Sequence, residues 1–130
     1  MKSIERITLL GSTGSIGVQT LDIVRRYPDR FRITSLVAHS RWQQLAKQAR
    51  EFGAESVVIG DTRHYDELKE ALRDTSTEVL AGSDAINHVA KSYRSDTVVN
   101  ALVGYAGLHP TALAIESGKR IALANKETLV

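Results

Sequence analysis

The chain has 130 residues, a length that fits one domain with a sizeable hydrophobic core. Its 17 Lys and Arg against 15 Asp and Glu leave a net charge of +2, which is too small to indicate a nucleic-acid-binding surface. The absence of cysteine excludes disulfides, cysteine-ligated zinc and a thiol nucleophile within this chain. No apolar run is long enough to span a bilayer and no signal-peptide core follows Met1, so we expect a soluble cytoplasmic protein without a membrane partner.

Short apolar runs rich in β-branched residues alternate with helical patterns along the whole chain. In chain order we predict a strand at residues 7–10, a helix at about 16–26, a strand at 31–37, a helix at 42–52, a strand at 56–59, a helix at 65–72, a strand at 78–80, a helix near 84–91, a strand at 97–102, a helix at 109–117 and a strand at 120–124. Nearly continuous apolar strands that alternate with helices are typical of a parallel sheet covered on both faces. The sequence therefore predicts one α/β domain over residues 1–130, with a doubly wound, mostly parallel sheet of the Rossmann type.

A glycine-rich turn separates the first predicted strand from the first predicted helix. It reads Gly11-Ser12-Thr13-Gly14-Ser15-Ile16-Gly17. Glycines at such a turn let the backbone approach a phosphate, and the helix that follows offers free N–H groups and the positive end of its dipole. Because the turn stands in the required strand–turn–helix context, it predicts a site for the pyrophosphate of a dinucleotide.

The end of the second predicted strand indicates which dinucleotide is bound. A domain that prefers NAD places Asp or Glu there to accept hydrogen bonds from the ribose 2′-hydroxyl, whereas this strand ends in His39, Ser40 and Arg41. Ser40 can donate a hydrogen bond to a 2′-phosphate and Arg41 can bind it with two donors. We therefore predict NADP(H), the alternative being a solvated loop. Trp42 could stack on the adenine or cover the core.

Two further segments follow strands at the edge where a cofactor would lie. Asn125-Lys126-Glu127 comes directly after the sixth predicted strand and is either part of the site or a solvated turn. The segment 100–107 contains Gly104 and Gly107, which could let the backbone approach a nicotinamide ring. The alternative for these two glycines is a loop that needs positive φ angles.

Three segments together resemble the N-terminal domain of the 1-deoxy-D-xylulose 5-phosphate reductoisomerase family. They are the glycine-rich turn at 11–17, the segment 100–108, and Ala-Asn-Lys-Glu-Thr-Leu-Val at 124–130. The resemblance extends over essentially the whole chain. It implies an NADPH-dependent enzyme of the non-mevalonate isoprenoid pathway, which rearranges 1-deoxy-D-xylulose 5-phosphate and reduces the product to 2-C-methyl-D-erythritol 4-phosphate.

The resemblance also implies roles for particular residues. Those that would line the pyrophosphate are Thr13, Gly14, Ser15 and Ile16, and those that would surround the adenosine 2′-phosphate are His39, Ser40 and Arg41. Members of the family often have Asn where Arg41 stands, so the details of 2′-phosphate recognition differ here. Asn125 and Glu127 would contact the nicotinamide half, and Lys126 would reach the phosphorylated sugar substrate.

The family's metal-binding carboxylates, which hold Mg, Mn or Co, its substrate-phosphate site and its mobile lid all lie beyond the segment 124–130. The resemblance thus implies a cofactor-binding domain without catalytic or metal-binding residues of its own, which we expect to bind NADPH and to be inactive alone, while the full-length enzyme is a homodimer. Two alternatives remain: the N-terminal domain of a semialdehyde or acyl-phosphate reductase, and a non-catalytic NADP(H) sensor. A cysteine nucleophile beyond Val130 would favour the former, and no further domain would favour the latter.

Overall fold

The computed structural model describes residues 4–92, 94–102 and 108–123. The elements in chain order are β1 (Glu5–Leu10), α1 (Ser15–Arg26), β2 (Phe31–Ala38), α2 (Trp42–Phe52), β3 (Ser56–Ile59), a single 3-10 turn (Thr62–His64), α3 (Tyr65–Ala71), β4 (Glu78–Ala81), α4 (Ser83–Ala90), β5 (Thr97–Asn100), α5 (Leu108–Glu116) and β6 (Arg120–Leu123). The strands form one six-stranded sheet in the order β4-β3-β2-β1-β5-β6, with parallel pairing between all the described neighbours. The predicted α/β, doubly wound fold is confirmed.

Helices cover both faces of the sheet, because successive residues of a strand point to opposite sides. On one face, strand residues pack against the first three helices, as shown by the cluster of Leu9, Leu36 and Val57 with Leu21, Leu45 and Leu68. On the other face, they pack against α4 and α5, as shown by the cluster of Leu10, Val37 and Val98 with Val89 and Ala114. Within the described ranges, none of the helices has the length and apolarity that crossing a membrane would require.

The order of the strands reverses next to β1, and this reversal positions the site. The chain places β2, β3 and β4 in succession on one side of β1 and then returns to place β5 on its other side. The helices that follow β1 and β5 lie on opposite faces of the sheet, an arrangement that opens a crevice at the carboxyl ends of these strands.

Element boundaries agree with the sequence prediction to within about two residues, and one difference has a clear cause. We predicted a fifth strand at 97–102, but β5 ends at Asn100. The Asn100 side chain closes a local turn there, since its Oδ1 accepts a hydrogen bond from the backbone N–H of Leu102 at 3.0 Å. An asparagine at the end of an apolar run can thus stop a strand that hydrophobicity alone would continue.

Candidate dinucleotide-binding site

A cavity of about 210 Å³ opens at the reversal of strand order, beyond the carboxyl ends of β1, β2 and β5. Its lining comes from the glycine-rich turn, the end of β2 and the residues that follow β5, namely Gly11, Thr13, Gly14, Ser15, Ile16, Ala38, His39, Ala101 and Leu102. The sequence predicted a ligand site beyond the carboxyl ends of the strands, and the turn and the end of β2 meet at this edge of the sheet. A larger cavity of about 540 Å³ lies elsewhere, between α4 and the first residues of β3 and β4, and does not include this turn.

The three glycines of the turn are not equivalent in the structure. Gly11 has φ +86°, and a Cβ there would lie 3.0 Å from the carbonyl carbon and oxygen of Ala101. A Cβ on Gly17 would lie 2.0 Å from the carbonyl oxygen of Gly11, so the first turn of α1 packs directly on the backbone of the preceding loop. The fold itself therefore requires these two glycines.

Gly14 differs from the other two, because neither its conformation nor its surroundings require a glycine. Its φ of −76° and ψ of 171° are open to any residue, and among the described residues a Cβ would meet only the carbonyl oxygen of Gly11, at 3.9 Å. The space beside Gly14 faces the cavity. The fold does not require a glycine at this position, but the absence of a side chain leaves room for a ligand to approach the backbone.

The backbone of the turn presents hydrogen-bond donors to this space. The N–H groups of Gly11 and Ser12 both donate to the carbonyl oxygen of Val37, at 2.8 and 2.9 Å. Among the described residues, by contrast, no acceptor takes the N–H groups of residues 13–16. The N-terminus of α1 has no side-chain cap and no acidic residue in its first turn, so its positive dipole end is uncompensated. Such an arrangement of donors is suited to an anion.

Three polar residues follow β2, and one of them belongs to the lining of the cavity. His39 lines the cavity, and Ser40 and Arg41 follow it as exposed residues before α2. Arg41 forms no ion pair with any carboxylate of the described residues. Its guanidinium is therefore available to a negatively charged ligand.

A carboxylate close to this segment is paired with a neighbouring arginine. Asp61 follows β3, and its N–H donates to the carbonyl oxygen of His39 at 2.8 Å. Both of its carboxylate oxygens accept hydrogen bonds from the Arg63 side chain, at 3.0 and 2.8 Å. These hydrogen bonds hold the pKa of Asp61 well below its usual range. A paired carboxylate leaves Arg41 to set the charge of the loop after β2.

One residue that holds the turn has no counterpart in the sequence prediction. Gln48 of α2 is 8% exposed, and its Nε2 donates to the carbonyl oxygen of Ser12 at 3.0 Å. The available signal was a polar residue at a position where helical periodicity requires an apolar one, between Leu45 and Ala49, both of which are buried. Trp42, at the start of the same helix, packs against the core, as one of its two interpretations anticipated.

Asn125, Lys126 and Glu127, as well as Gly104 and Gly107, lie outside the described residues, and their roles remain predictions. The strand before the first three, β6, ends level with Asn100 of β5, at the same edge of the sheet as the cavity. Within residues 4–92, 94–102 and 108–123, no three His, Asp or Glu side chains come together in a group that could hold a metal ion.

Comparison with known proteins gives one consistent result. The family model of 1-deoxy-D-xylulose 5-phosphate reductoisomerase matches residues 7–130. The chain is 49% identical over 126 residues to the reductoisomerase of Phocaeicola vulgatus, covering 97% of this chain and 33% of that protein. It is 48% identical over 128 residues to that of Proteus mirabilis, covering 97% of this chain and 32% of the relative.

Solved structures of proteins with this name have the same fold. The reductoisomerase of Zymomonas mobilis in complex with NADPH superposes with a TM-score of 0.88 at 42% identity, covering 98% of this chain and 33% of that one. A reductoisomerase in complex with NADPH, fosmidomycin and magnesium gives a TM-score of 0.89 at 40% identity, covering 97% and 31%. The chain thus spans about a third of the length of the relatives that it matches.

Proposed function

The chain belongs to the 1-deoxy-D-xylulose 5-phosphate reductoisomerase family, and from this premise we propose that it forms the NADPH-binding domain of such an enzyme. The enzyme would isomerise 1-deoxy-D-xylulose 5-phosphate and reduce the product to 2-C-methyl-D-erythritol 4-phosphate. The observation that carries the proposal is the turn at residues 11–17, where unused N–H groups and the space beside Gly14 face one cavity. A relative with this fold is described as a complex with NADPH.

The residues of the chain would bind and orient the cofactor, which supplies a hydride when bound. The pyrophosphate would take hydrogen bonds from the N–H groups of Thr13, Gly14, Ser15 and Ile16, where the dipole of α1 favours negative charge. The 2′-phosphate would lie against His39, Ser40 and Arg41. A guanidinium and a hydroxyl favour this phosphate, whereas a carboxylate at the same place would repel it.

The proposal extends to residues outside the described ranges. Asn125 and Glu127 would contact the nicotinamide half of NADPH, and Lys126 would reach the phosphorylated sugar. A lysine ammonium beside a polarised carbonyl stabilises developing negative charge. A divalent metal, which one relative contains as magnesium, would be held by other parts of the full-length enzyme. We place that enzyme in the cytoplasm as a homodimer, with no nucleic-acid or membrane partner.

Family membership decides between the two enzymes considered from the sequence. A semialdehyde or acyl-phosphate reductase is disfavoured, because the family model and the named relatives are reductoisomerases. A sensor that binds NADP(H) without catalysing a reaction would use the same turn, and only the activity of the full-length protein distinguishes it.

A calorimetric titration of the chain with NADPH and, in parallel, with NADH tests the proposal. We expect saturable binding of NADPH and weaker binding of NADH, because the two cofactors differ only in the 2′-phosphate. Equal or tighter binding of NADH would contradict the role given to Ser40 and Arg41. The absence of binding for both cofactors would contradict the proposal that this domain holds the cofactor by its own residues.

A further inference from the structure

The buried amide of Gln48 lies on α2 and forms a hydrogen bond with the glycine-rich turn. Gln48 lies on α2, 36 residues from Ser12 in the chain, and its Nε2 donates to the Ser12 carbonyl oxygen at 3.0 Å. Both partners are buried, with Ser12 fully so and Gln48 8% exposed. A hydrogen bond shielded from water in this way fixes the direction of the carbonyl group that accepts it.

The direction of this carbonyl also determines the direction of a donor in the cavity. Ser12 C=O and Thr13 N–H belong to the same peptide unit, and in a planar trans peptide these two groups point in opposite directions. Because Gln48 holds the oxygen, the Thr13 N–H must point away from α2. Thr13 lines the cavity, and its N–H donates to no acceptor among the described residues.

Two other peptide units of the turn, Gly11–Ser12 and Gly14–Ser15, are held by contacts of their own. Ser12 N–H donates to Val37, the carbonyl oxygen of Gly11 lies against Gly17, and the carbonyl oxygen of Gly14 accepts the N–H of Val18. The peptide between Ser12 and Thr13 is held by Gln48. Without it, this unit could rotate and turn a carbonyl oxygen toward the cavity, where it would repel a phosphate.

We propose that Gln48 is a positioning residue for cofactor binding: it orients the Ser12–Thr13 peptide so that the Thr13 N–H is presented to the pyrophosphate. This inference rests on the proposed function, because it takes the cavity to be the pyrophosphate site. The other polar atom of this side chain, Oε1, is buried without a hydrogen-bond partner among the described residues.

The variant Gln48→Met tests the proposal, because it keeps the length and the unbranched Cβ–Cγ stem of the side chain and removes the donor. Gln43→Met is the matched control, since Gln43 lies on the same helix and is exposed. Each protein is titrated with NADPH and with adenosine 2′-monophosphate. The second ligand carries the 2′-phosphate but has no pyrophosphate, so its binding reports on the loop after β2 alone.

We expect Gln48→Met to weaken NADPH binding about five-fold, the equivalent of one lost hydrogen bond, and to leave adenosine 2′-monophosphate binding unchanged. Gln43→Met should change neither. Equal NADPH affinity in Gln48→Met and wild type would overturn the proposal. Equal weakening of both ligands would also overturn it, since that is the signature of a general loosening of the fold.

A measurement on the wild-type chain keeps the proposal testable even if the variant does not fold. We expect the amide proton resonance of Thr13 to move downfield when NADPH is added, as it does when an N–H donates to a phosphate, and not when adenosine 2′-monophosphate is added. A Thr13 resonance indifferent to NADPH would refute the role of Gln48 while NADPH still binds. Failure of the wild-type chain to bind NADPH would instead refute the proposed function, and this inference with it.

Discussion

Gly17 and Gly14 should respond in opposite ways to the same substitution. Gly17 lies inside α1, where alanine is favoured over glycine by about 1 kcal/mol of helix propensity. The structure predicts that Gly17→Ala nevertheless destabilises the protein, because the new Cβ would stand 2.0 Å from the carbonyl oxygen of Gly11, where contacts under 3.0 Å essentially never occur. The neighbouring atom is backbone, held in a turn that is packed against Ala101.

The loop and the helix must separate by about 1 Å to accept the Gly17→Ala methyl group. Forcing an extra methyl group into a packed interior costs about 1–3 kcal/mol, and we expect a net loss of this size in the free energy of unfolding. Urea unfolding followed by the fluorescence of Trp42, the single tryptophan of the chain, measures it. A gain of about 1 kcal/mol, as propensity alone predicts, would refute the close approach of α1 to the turn.

Gly14→Ala adds the same methyl group as Gly17→Ala, but we expect it to affect NADPH binding rather than stability. Its backbone angles suit alanine and its Cβ would meet no atom of the described residues closer than 3.9 Å, so we expect the free energy of unfolding to stay within about 1 kcal/mol of the wild-type value. The methyl group would, however, occupy the approach of the pyrophosphate to the backbone, and NADPH affinity should fall about ten-fold or more. Unchanged NADPH affinity would show that the pyrophosphate does not contact the turn here.

Three further substitutions test the loop after β2, a helix end and an ion pair. Arg41→Ala should weaken NADPH binding about ten-fold in calorimetry and leave NADH binding nearly unchanged, since its guanidinium has no carboxylate partner among the described residues; equal losses would disprove a contact with the 2′-phosphate. Gly53→Ala should cost about 1 kcal/mol in urea unfolding, because the residue ends α2 at φ +60° with open space around its Cβ, and a neutral result would argue against that conformation. Hydrogen bonds from the Arg6 side chain lower the pKa of Asp96, so Asp96 stabilises the fold above the unfolded-state pKa of about 4 and loses this effect as pH falls toward the lower folded-state value. Asp96→Asn should therefore flatten the dependence of unfolding free energy on pH below about 5, and an unchanged slope would contradict the pairing with Arg6.

The fold was predictable because its signals are local and repeated. The strands contain short apolar runs, helices such as α1 and α2 have one apolar face, and Gly53 ends α2 as the sequence indicated. The parallel arrangement follows from the alternation of the two element types, so the edge that carries the site follows as well. The glycine-rich turn could be placed from the sequence because strand, turn and helix are consecutive in the chain.

The contacts that hold the turn could not be predicted in this way, because they depend on residues that are distant in sequence. The pattern of three glycines does not tell which of them the fold needs and which one a ligand needs. That distinction depends on how closely α1 approaches the backbone at Gly11. Gln48 is a comparable case: its helix was predicted, but the packing of α2 against the turn sets which buried side chain reaches Ser12.

The carbonyl and N–H groups of the turn are therefore oriented before a ligand binds. The carbonyl oxygen of Gly11 contacts Gly17, that of Ser12 accepts a hydrogen bond from Gln48, and that of Gly14 accepts one from Val18. The N–H groups of residues 13–16, by contrast, donate to no acceptor among the described residues. An anion that binds here finds its donors already oriented and requires little reorganisation, which favours affinity. The three variants test different features of the turn. Gly14→Ala tests ligand access, Gly17→Ala tests the packing of the loop against α1, and Gln48→Met tests the orientation of a donor. Proportional changes in stability and NADPH affinity across all three would contradict this separation.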